Sequence, residues 1–384
     1  MESVEPIRLT PFSAKNKMKD LNSRYKRLDS YILGKYLKTF IVAMILIIII
    51  VITFDVSEKL DDFLRHQAPL KEIIFDYYCN FIPGFVNLYS PLFIFISVIY
   101  FTAKMAGNSE IIAILGSGIS YRRMLKPYLH GSIIIALIVL LLGNFVIPIS
   151  NQTLNKFEDQ YVKTIRRTYY NNIHFQQKKG THVYADNFDV RTLTSYNFTM
   201  DTYNDDGQLT ERMQATSIVF DTTQNMWKCQ NLVKRTIENG KETLLRPNSA
   251  SSTLHGLTVY DFDRAAHHIT TMNTPELIAH IRQEKMRGSG AVIDAKIEFY
   301  QRILTPLAVI VMTFIGVAIS SRKTRGGVGV HLAIGISIAF AFIVFMKIST
   351  VFATNGNLPP FLAVLMPQIL FGSAAAYLIH KAPK

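Results

Sequence analysis

The chain has 384 residues, of which 49% are hydrophobic and only 18% are charged. Soluble proteins usually carry charge on about a quarter of their residues, so the composition argues against an ordinary soluble domain. A net charge of +13 would suit a nucleic-acid-binding protein, but no basic patch with interleaved aromatic residues occurs. We therefore expect a membrane protein and no nucleic acid among its partners.

Six long uncharged runs explain the low charge content. A helix needs about 20 apolar residues to cross a bilayer. The first run is the shortest, but the neighbouring Lys38 can extend its side chain to the interface. We predict six transmembrane helices, numbered membrane helices 1 to 6, over Thr39–Phe54, Tyr77–Ala103, Pro127–Asn155, Ile303–Ser321, Gly326–Met346 and Phe361–Ile379.

The charges between these runs predict the orientation of the chain. Both termini and the loops over 104–126 and 322–325 are basic, whereas the loop over 55–76 is net acidic. Short loops rich in Lys and Arg stay in the cytoplasm. We therefore predict cytoplasmic termini, two cytoplasmic loops, and a large insert on the far side of the membrane.

The chain begins with a polar, basic segment over residues 1–30, which we interpret as a mobile cytoplasmic tail. Residues 31–168 then hold membrane helices 1 to 3, and helix 1 is expected from about Asp29 to Asp62. Membrane helix 2 contains Pro83 and Pro91. Prolines kink a helix and free backbone carbonyls, which suits a helix that lines a cavity.

A polar segment, Lys104–Pro127, separates membrane helices 2 and 3. It carries a small helix, EIIAIL, with a single carboxylate, Glu110. We interpret this segment, the coupling loop, as a cytoplasmic docking site through which a partner moves the rest of the chain. The alternative is a solvated loop acid. Four basic residues flank the carboxylate in the sequence: Lys104, Arg122, Arg123 and Lys126.

Residues 169–272 have a different composition. Alternating segments such as TSYNFTMDTY are separated by turn signals, for example Asn204–Gly207 and Thr222–Asn225. This pattern predicts short antiparallel strands, and about 100 residues suffice for a β-sandwich. We predict an all-β, jelly-roll-like domain with Trp227, the only tryptophan, in its core. Residues 273–384 are assigned to a connecting helix and membrane helices 4 to 6.

No catalytic motif stands out. The sequence has no phosphate-binding GxxxxGK[ST] loop, no HExxH and no paired-cysteine metal signature. We therefore expect no catalytic centre and no cofactor in this chain, so that energy for any work enters from a partner. The clearest intramembrane charge is Lys347, which is a functional candidate unless it simply extends to the interface.

Five motifs follow one another along the chain: LDSYILGKYLKTF, P(x)7PLFIFIS, SEIIAILGSGIS, MDTYNDDGQLTERMQATSIVFDTTQNMWKC, and EFYQRILTPLAV with SSRKTRGG and NGNLPPFLAVLMP. In this order they resemble the LptF/LptG family, the paired permeases of the bacterial lipopolysaccharide-export ABC transporter. The match covers nearly the whole chain. It does not show which of the two paired permeases the chain is.

The resemblance implies a non-catalytic, multi-pass permease of the bacterial inner membrane with its β domain in the periplasm. Two such permeases, LptF with LptG, would form a cavity open to the outer leaflet, from which lipopolysaccharide is extracted. A separate cytoplasmic ATPase dimer, which binds the ATP and Mg²⁺, would drive the cycle. The lipid would pass through the jelly roll to periplasmic jelly-roll bridge proteins.

Two sets of site residues follow from the resemblance. Glu110 matches the family glutamate that sits in a groove of the ATPase, and it is grouped with neighbouring residues as the ATPase-coupling set: Glu110, Ile111, Gly118, Ser120, Arg122 and Arg123. The family is expected to hold lipid phosphates with basic residues near the outer helix ends. Charge and depth select Lys156, Lys163, Arg166, Arg167, Arg302 and Lys347, whereas Asp55 is acidic where some relatives have a basic residue.

Two other functions remain open at this point. The chain could be a membrane sensor whose β domain binds a ligand, although no sizeable cytoplasmic output domain is present. It could also be a lipid-modifying enzyme, although no catalytic site is visible. Binding of a kinase in place of an ATPase would favour the sensor, and turnover of lipid by the purified chain would favour the enzyme.

Overall fold

The structure is a computed structural model. It describes residues 11–162, 169–238, 240–246, 253–254, 257–262, 266–287, 291–324, 326–356 and 358–381.

In the described part of the chain, six helices are long and apolar enough to cross a membrane, as the sequence predicted. Membrane helix 1 is part of a longer helix, Pro11–Arg65. Its start differs from the prediction, because residues 11–30 are helical and not an irregular tail. Neither glycine nor proline occurs between Pro11 and Gly34, so no residue interrupts the helix on its N-terminal side. The apolar spans are Arg27–Arg65, Leu70–Gly107, Tyr121–Tyr161, Ala291–Ser320, Gly327–Asn355 and Pro360–His380.

Membrane helix 4 lies at the centre of the helices and membrane helix 1 at their periphery. In the most apolar stretch of helix 4, 56% of the residues are buried, against 6% in helix 1. Helix 4 packs closely on helix 2, because a Cβ atom at Gly316 would lie 3.0 Å from Val98 and 3.2 Å from Phe95. Small residues of this kind let membrane helices approach each other.

Two helices contain a wider turn near the end that carries the β domain. Helix 2 has a π-helical turn over Ile73–Tyr78, and helix 3 has one over Leu142–Val146. Pro83 and Pro91 lie within helix 2. Wide turns of this kind are frequent at functional sites. The turn in helix 2 contacts Asp55, and the turn in helix 3 lines a cavity.

The described residues of the insert between membrane helices 3 and 4 form an antiparallel sheet of eight strands. The strands are β1 Tyr169–Lys178, β2 Thr181–Asp189, β3 Thr194–Tyr203, β4 Leu209–Asp221, β5 Met226–Gln230, β6 Val233–Glu238, β7 Lys241–Leu245 and β8 Thr253–Leu254. The predicted β domain is therefore confirmed. Strands β1 to β4 pair in sequence order as a meander, and the sheet is not closed as a barrel.

Strands β5 and β6 share one edge of β4. Ser217 pairs with Gln230 in β5, and Gln214 pairs with Val233 in β6, so the register is the same on both sides of the break. Strand β7 then pairs with β6 and β8 with β5. The outer edge of the sheet is thus divided into two short pieces.

One face of the sheet packs around Phe262, in the short helix Val259–Phe262. The Phe262 ring lies 4.9 Å from Trp227 and 5.4 Å from Phe188, and all three side chains are fully buried. The Trp227 Nε1–H donates to the Leu257 carbonyl at 3.0 Å. Trp227 is therefore part of the core, as predicted.

The β domain is joined to the membrane helices through two further helices, Ala266–Thr271 and Thr274–Met286. Arg287, at the end of the second, donates to Asp261 and Glu284 and lies over the ring of Phe175 in β1 at 5.8 Å. The side chains of Arg287, Asp261 and Glu284 are all nearly inaccessible to water. A buried charge cluster therefore fixes the connecting helix to the β domain.

We expect Phe262→Ala to lower the free energy of unfolding of the β domain by about 3–5 kcal/mol, the usual cost of deleting a buried phenylalanine. Fluorescence of the single Trp227, followed through urea denaturation of the detergent-solubilised chain, measures the change. Phe340, which is 68% exposed in the membrane region, provides the matched control. Equal midpoints for Phe262→Ala and Phe340→Ala would contradict the assigned core.

Candidate functional site

The coupling loop contains a one-carboxylate helix, Glu110–Gly116, set between two left-handed residues. Ser109 before it has φ +61° and Gly118 after it has φ +86°, so the chain turns sharply at both ends. Gly118 suits its position because only glycine adopts this φ without strain. Ser120 then accepts a hydrogen bond from the Arg123 backbone N–H at 3.3 Å and opens the next helix.

Glu110 is bound to membrane helix 1. Its Oε2 accepts a hydrogen bond from the Tyr31 hydroxyl at 2.8 Å and forms an ion pair with Lys35 Nζ at 3.1 Å. The sequence suggested the four basic residues of the loop as its neighbours, but the cation of this pair comes from 75 residues earlier in the chain. Glu110 therefore joins the coupling loop to helix 1.

A second ion pair joins the same two elements. Arg123 donates two hydrogen bonds to the Asp29 carboxylate, at 2.8 Å from NH1 and 2.7 Å from NH2. Such two-point contacts are stronger and more directional than single ones. Two of the predicted coupling residues, Glu110 and Arg123, thus contact membrane helix 1.

The environment of Glu110 keeps it ionised. Partial burial raises the pKa of the carboxyl, but the hydrogen bonds from Tyr31 and Lys35 outweigh burial, and the pKa lies below its ordinary value of 4.5. At neutral pH Glu110 is therefore an anion with one cationic neighbour, and it retains free acceptor capacity for a further donor.

The other coupling residues divide between the core and the surface. Ile111 is buried among the membrane helices, whereas Ile112 is 57% exposed. Gly118, Ser120 and Arg122 are exposed. The small helix is thus anchored by Ile111, whereas the side chain of Ile112 is exposed.

The loop between membrane helices 4 and 5 lies beside the coupling loop. Lys323 Nζ donates to Ser109 Oγ at 3.3 Å, and the hydroxyls of Tyr121 and Ser321 are 3.3 Å apart. Two basic loops that the sequence placed on one side of the membrane therefore form one surface.

A cavity of about 330 Å³ lies between membrane helices 2, 3, 4 and 5, towards the β-domain end. Its wall is largely apolar and includes Pro91 of the kinked helix 2 and Gly143 of the wide turn in helix 3. Polar groups at this wall include Asn87, Asn151, Glu298, Gln301, Arg302 and Lys347. An apolar cavity with a few charged groups is suited to an amphipathic ligand.

Arg302 is 6% exposed and its guanidinium contacts protein groups. Its Nε donates to Glu298 Oε1 at 2.9 Å, and its NH1 donates to the Met272 carbonyl at 2.8 Å. The NH2 group donates to the carbonyls of Ile269 and Thr270 at 3.4 Å. Arg302 therefore stabilises the C-terminal end of the helix Ala266–Thr271, where a cation is favourable.

Lys347 has a different environment. It is exposed, lines the same cavity, and has no ion-pair partner among the residues that the structure describes. Since Glu298 balances the charge of Arg302, Lys347 gives the cavity a net positive charge. An anionic group of a ligand would be attracted to it.

Comparison with known proteins identifies the family. A family profile described as lipopolysaccharide export system permease LptF/LptG matches residues 30–381. The chain belongs to this family. It is 19% identical over 311 residues to the lipopolysaccharide export system permease protein LptG of Escherichia coli K12, across 78% of this chain and 83% of that protein. The LptG protein of Escherichia coli O6:H1 matches to the same extent.

For this LptF/LptG chain, the structure describes three of the six predicted lipid-phosphate residues. Arg302 and Lys347 share the cavity, and Lys156 is exposed on the extension of helix 3. Lys163, Arg166 and Arg167 lie outside the residues that the structure describes. Of the three described residues, the structure brings two together at the cavity.

Asp55, which the resemblance marked as unusual, forms a cluster that was not predicted from the sequence. It accepts hydrogen bonds from the hydroxyls of Tyr77 and Tyr78, both at 3.1 Å, and forms an ion pair with Lys59 at 3.0 Å. The i,i+4 spacing of Asp55 and Lys59 was a visible signal. The tyrosines belong to the π-helical turn of helix 2, so the cluster joins helix 1 to that turn.

No metal centre is indicated in the described part of the chain, because no three His, Cys, Asp or Glu side chains lie together there.

The contact between Glu110 and Lys35 should resist mild acid. A carboxylate with a lowered pKa contributes fully above its ordinary value of 4.5, and the contribution is lost as the pH falls through the lowered value. We expect the distance between spin labels on helix 1 and the loop helix to stay constant from about pH 8 to pH 5 and to change only in stronger acid. A change in the spin-label distance between about pH 8 and pH 5 that is absent from Glu110→Gln would contradict the lowered pKa of Glu110.

Arg302 and Lys347 should respond differently to neutralisation. We expect Arg302→Gln to lower the free energy of unfolding by about 3–5 kcal/mol, because it leaves Glu298 unpaired. Lys347→Gln should leave stability unchanged and weaken crosslinking of lipopolysaccharide to a photoreactive residue at Ile343, which lines the cavity. Thermal unfolding and crosslink yield measure the two effects. Undiminished crosslinking in Lys347→Gln would exclude Lys347 from the ligand site.

Proposed function

We propose that this chain is a permease of an ABC transporter that extracts lipopolysaccharide from the outer leaflet of the bacterial inner membrane. The lipid then passes to a periplasmic β-jelly-roll bridge, and a separate cytoplasmic ATPase dimer supplies the energy. Membership of the LptF/LptG family across residues 30–381 carries this proposal. It also favours transport over the alternative of a membrane sensor.

The orientation is part of the proposal. Both termini and the coupling loop lie in the cytoplasm, and the β domain lies in the periplasm, because the basic loops mark the cytoplasmic side. The coupling loop then faces the ATPase and the cavity opens towards the periplasmic half of the membrane. A lipid drawn from the outer leaflet would meet Lys347 on that side.

The coupling loop receives the ATPase. Its exposed Ile112 and Arg122 and the ionised Glu110 provide apolar, cationic and anionic contacts within one short helix and its flank. A groove with a basic residue at its base would accept such a helix by shape and charge. The ATP and Mg²⁺ are bound by the ATPase, and this chain is not an enzyme.

A second, paired permease completes the transporter. The middle of membrane helix 1 and much of membrane helix 5 have few contacts with other helices. Ile45 and Ile49 in helix 1 and Phe340 in helix 5 are each more than half exposed. These faces are apolar enough for lipid, and also for a partner permease. A separate, larger cavity for the lipid is formed between the two permeases. Each permease contributes its own basic residues to it.

We expect Glu110→Lys to abolish co-purification of the ATPase in mild detergent, and Glu110→Ala to weaken it strongly. Charge reversal places a cation where the ATPase groove expects an anion and also repels Lys35. The control is Glu58→Lys, an exposed acidic residue near the opposite end of helix 1. Mass spectrometry of the purified complex measures bound ATPase. Normal assembly and ATP turnover in Glu110→Lys would count against this site.

A further inference from the structure

Membrane helix 1 is held at its two ends and is otherwise nearly free of the remaining helices. Only 6% of its most apolar stretch is buried. At the coupling-loop end, Tyr36 is fully buried and bonds to Thr313 of helix 4 at 3.1 Å. At the other end, Asp55 bonds to Tyr77 and Tyr78. Lys35 and Asp55 are 20 residues apart, or about 30 Å along a helix.

The coupling-loop end carries the two ion pairs described above, and both lead to the coupling loop. Lys35 contacts Glu110 and Asp29 contacts Arg123. These residues are only partly exposed, between 21% and 36% of each side chain. The pairs therefore lie between helix 1 and the loop, where solvent screens them less than at an open surface.

We propose that the coupling loop moves membrane helix 1 directly, and that Lys35 and Asp29 are the positioning residues that make the connection. This inference rests on the proposed function, in which an ATPase binds the loop. A basic group of the ATPase that approaches Glu110 competes with Lys35 for one carboxylate. Binding of the ATPase and the position of helix 1 are then linked, and each changes the equilibrium of the other.

The Asp29–Arg123 pair keeps helix 1 attached to the loop while the Lys35–Glu110 pair is broken. The Asp29–Arg123 contact has two parallel hydrogen bonds, so it holds helix 1 near the loop when Lys35 is displaced. Movement of the loop then tilts helix 1 about the buried Tyr36. Within this chain, few packing contacts along the middle of the helix oppose this tilt. The tilt would be transmitted to the Asp55 cluster at the far end of the helix.

The experiment uses the complete transporter in lipid nanodiscs with a lipopolysaccharide acceptor. The variants are Lys35→Glu, Asp29→Arg, Asp29→Asn as a milder change, and the exchanged pair Asp29→Arg with Arg123→Asp. The control is Lys38→Glu, a reversal of an exposed charge on the same helix, which has no contact to the loop among the described residues. Two quantities are measured: ATPase retained in the complex, and lipid transferred per ATP hydrolysed.

We expect Asp29→Arg and Lys35→Glu to lower lipid transferred per ATP by about fivefold or more, the lower end of typical coupling between sites. Asp29→Arg and Asp29→Asn should retain bound ATPase, because Asp29 lies on helix 1. The exchanged pair should recover transfer per ATP, which a purely structural loss would not allow. Lys38→Glu should behave as the unaltered chain.

Two results would overturn the inference, and they are distinguishable. If the Asp29 and Lys35 variants transfer as much lipid per ATP as Lys38→Glu while the ATPase stays bound, helix 1 is not the moving element. The same follows if the exchanged pair retains its ATPase and recovers no transfer. If the unaltered chain binds no ATPase, the proposed function is wrong and this inference falls with it. If Asp29→Arg fails to assemble, lipid transferred per ATP by Asp29→Asn decides whether helix 1 is the moving element.

Discussion

The placement of Tyr36 is the contact on which the arrangement of membrane helix 1 depends. Its ring fills the space left by Gly131 of helix 3, where a Cβ atom would come within 2.4 Å of the ring. It lies edge-on to Phe101 of helix 2 at 5.9 Å, and its hydroxyl reaches helix 4. One side chain thus touches three helices, so helix 1 keeps a fixed point although most of its length is exposed.

Because Tyr36 fixes the position of helix 1, the polar residues next to it in the sequence lie against the coupling loop. Lys35 is the preceding residue, and Tyr31 lies about one helical turn before it, on the side that meets Glu110. The position of the loop, the ionisation of its carboxylate and the attachment of helix 1 are therefore aspects of one local structure. Under the proposed function, this arrangement would let a small helix with one acidic residue pass movement into the membrane.

The sequence was informative wherever a pattern is local. Hydropathy determines the six membrane helices, and alternation with turn signals determines the β domain; Trp227 is in the core because a large apolar ring has few other places in a small sheet. The small helix at Glu110 could be predicted from the sequence EIIAIL, whereas its docking to an ATPase stays a prediction. The predicted start of helix 1 was wrong. We interpreted the low hydropathy of the N-terminal segment as irregular structure, although no glycine or proline interrupts the helix between Pro11 and Gly34.

Contacts between distant residues could not be predicted. The partner of Glu110 is 75 residues away, and the loop itself offered four nearer cations. Depth and charge also do not distinguish Arg302 from Lys347, because neither shows whether a basic side chain at the cavity is already paired with an acidic one. For Arg302, the acid four residues earlier, Glu298, was a usable sign of a structural ion pair.

The buried cluster at Arg287 has a consequence for how the β domain can be oriented. One guanidinium serves two carboxylates, one on the helix Val259–Phe262 next to the β core and one on the connecting helix. Rotation at this junction would leave at least one charge buried without its partner, at a cost of several kcal/mol. The junction therefore cannot serve as a swivel. A change in the tilt of the connecting helix has to turn the whole sheet with it.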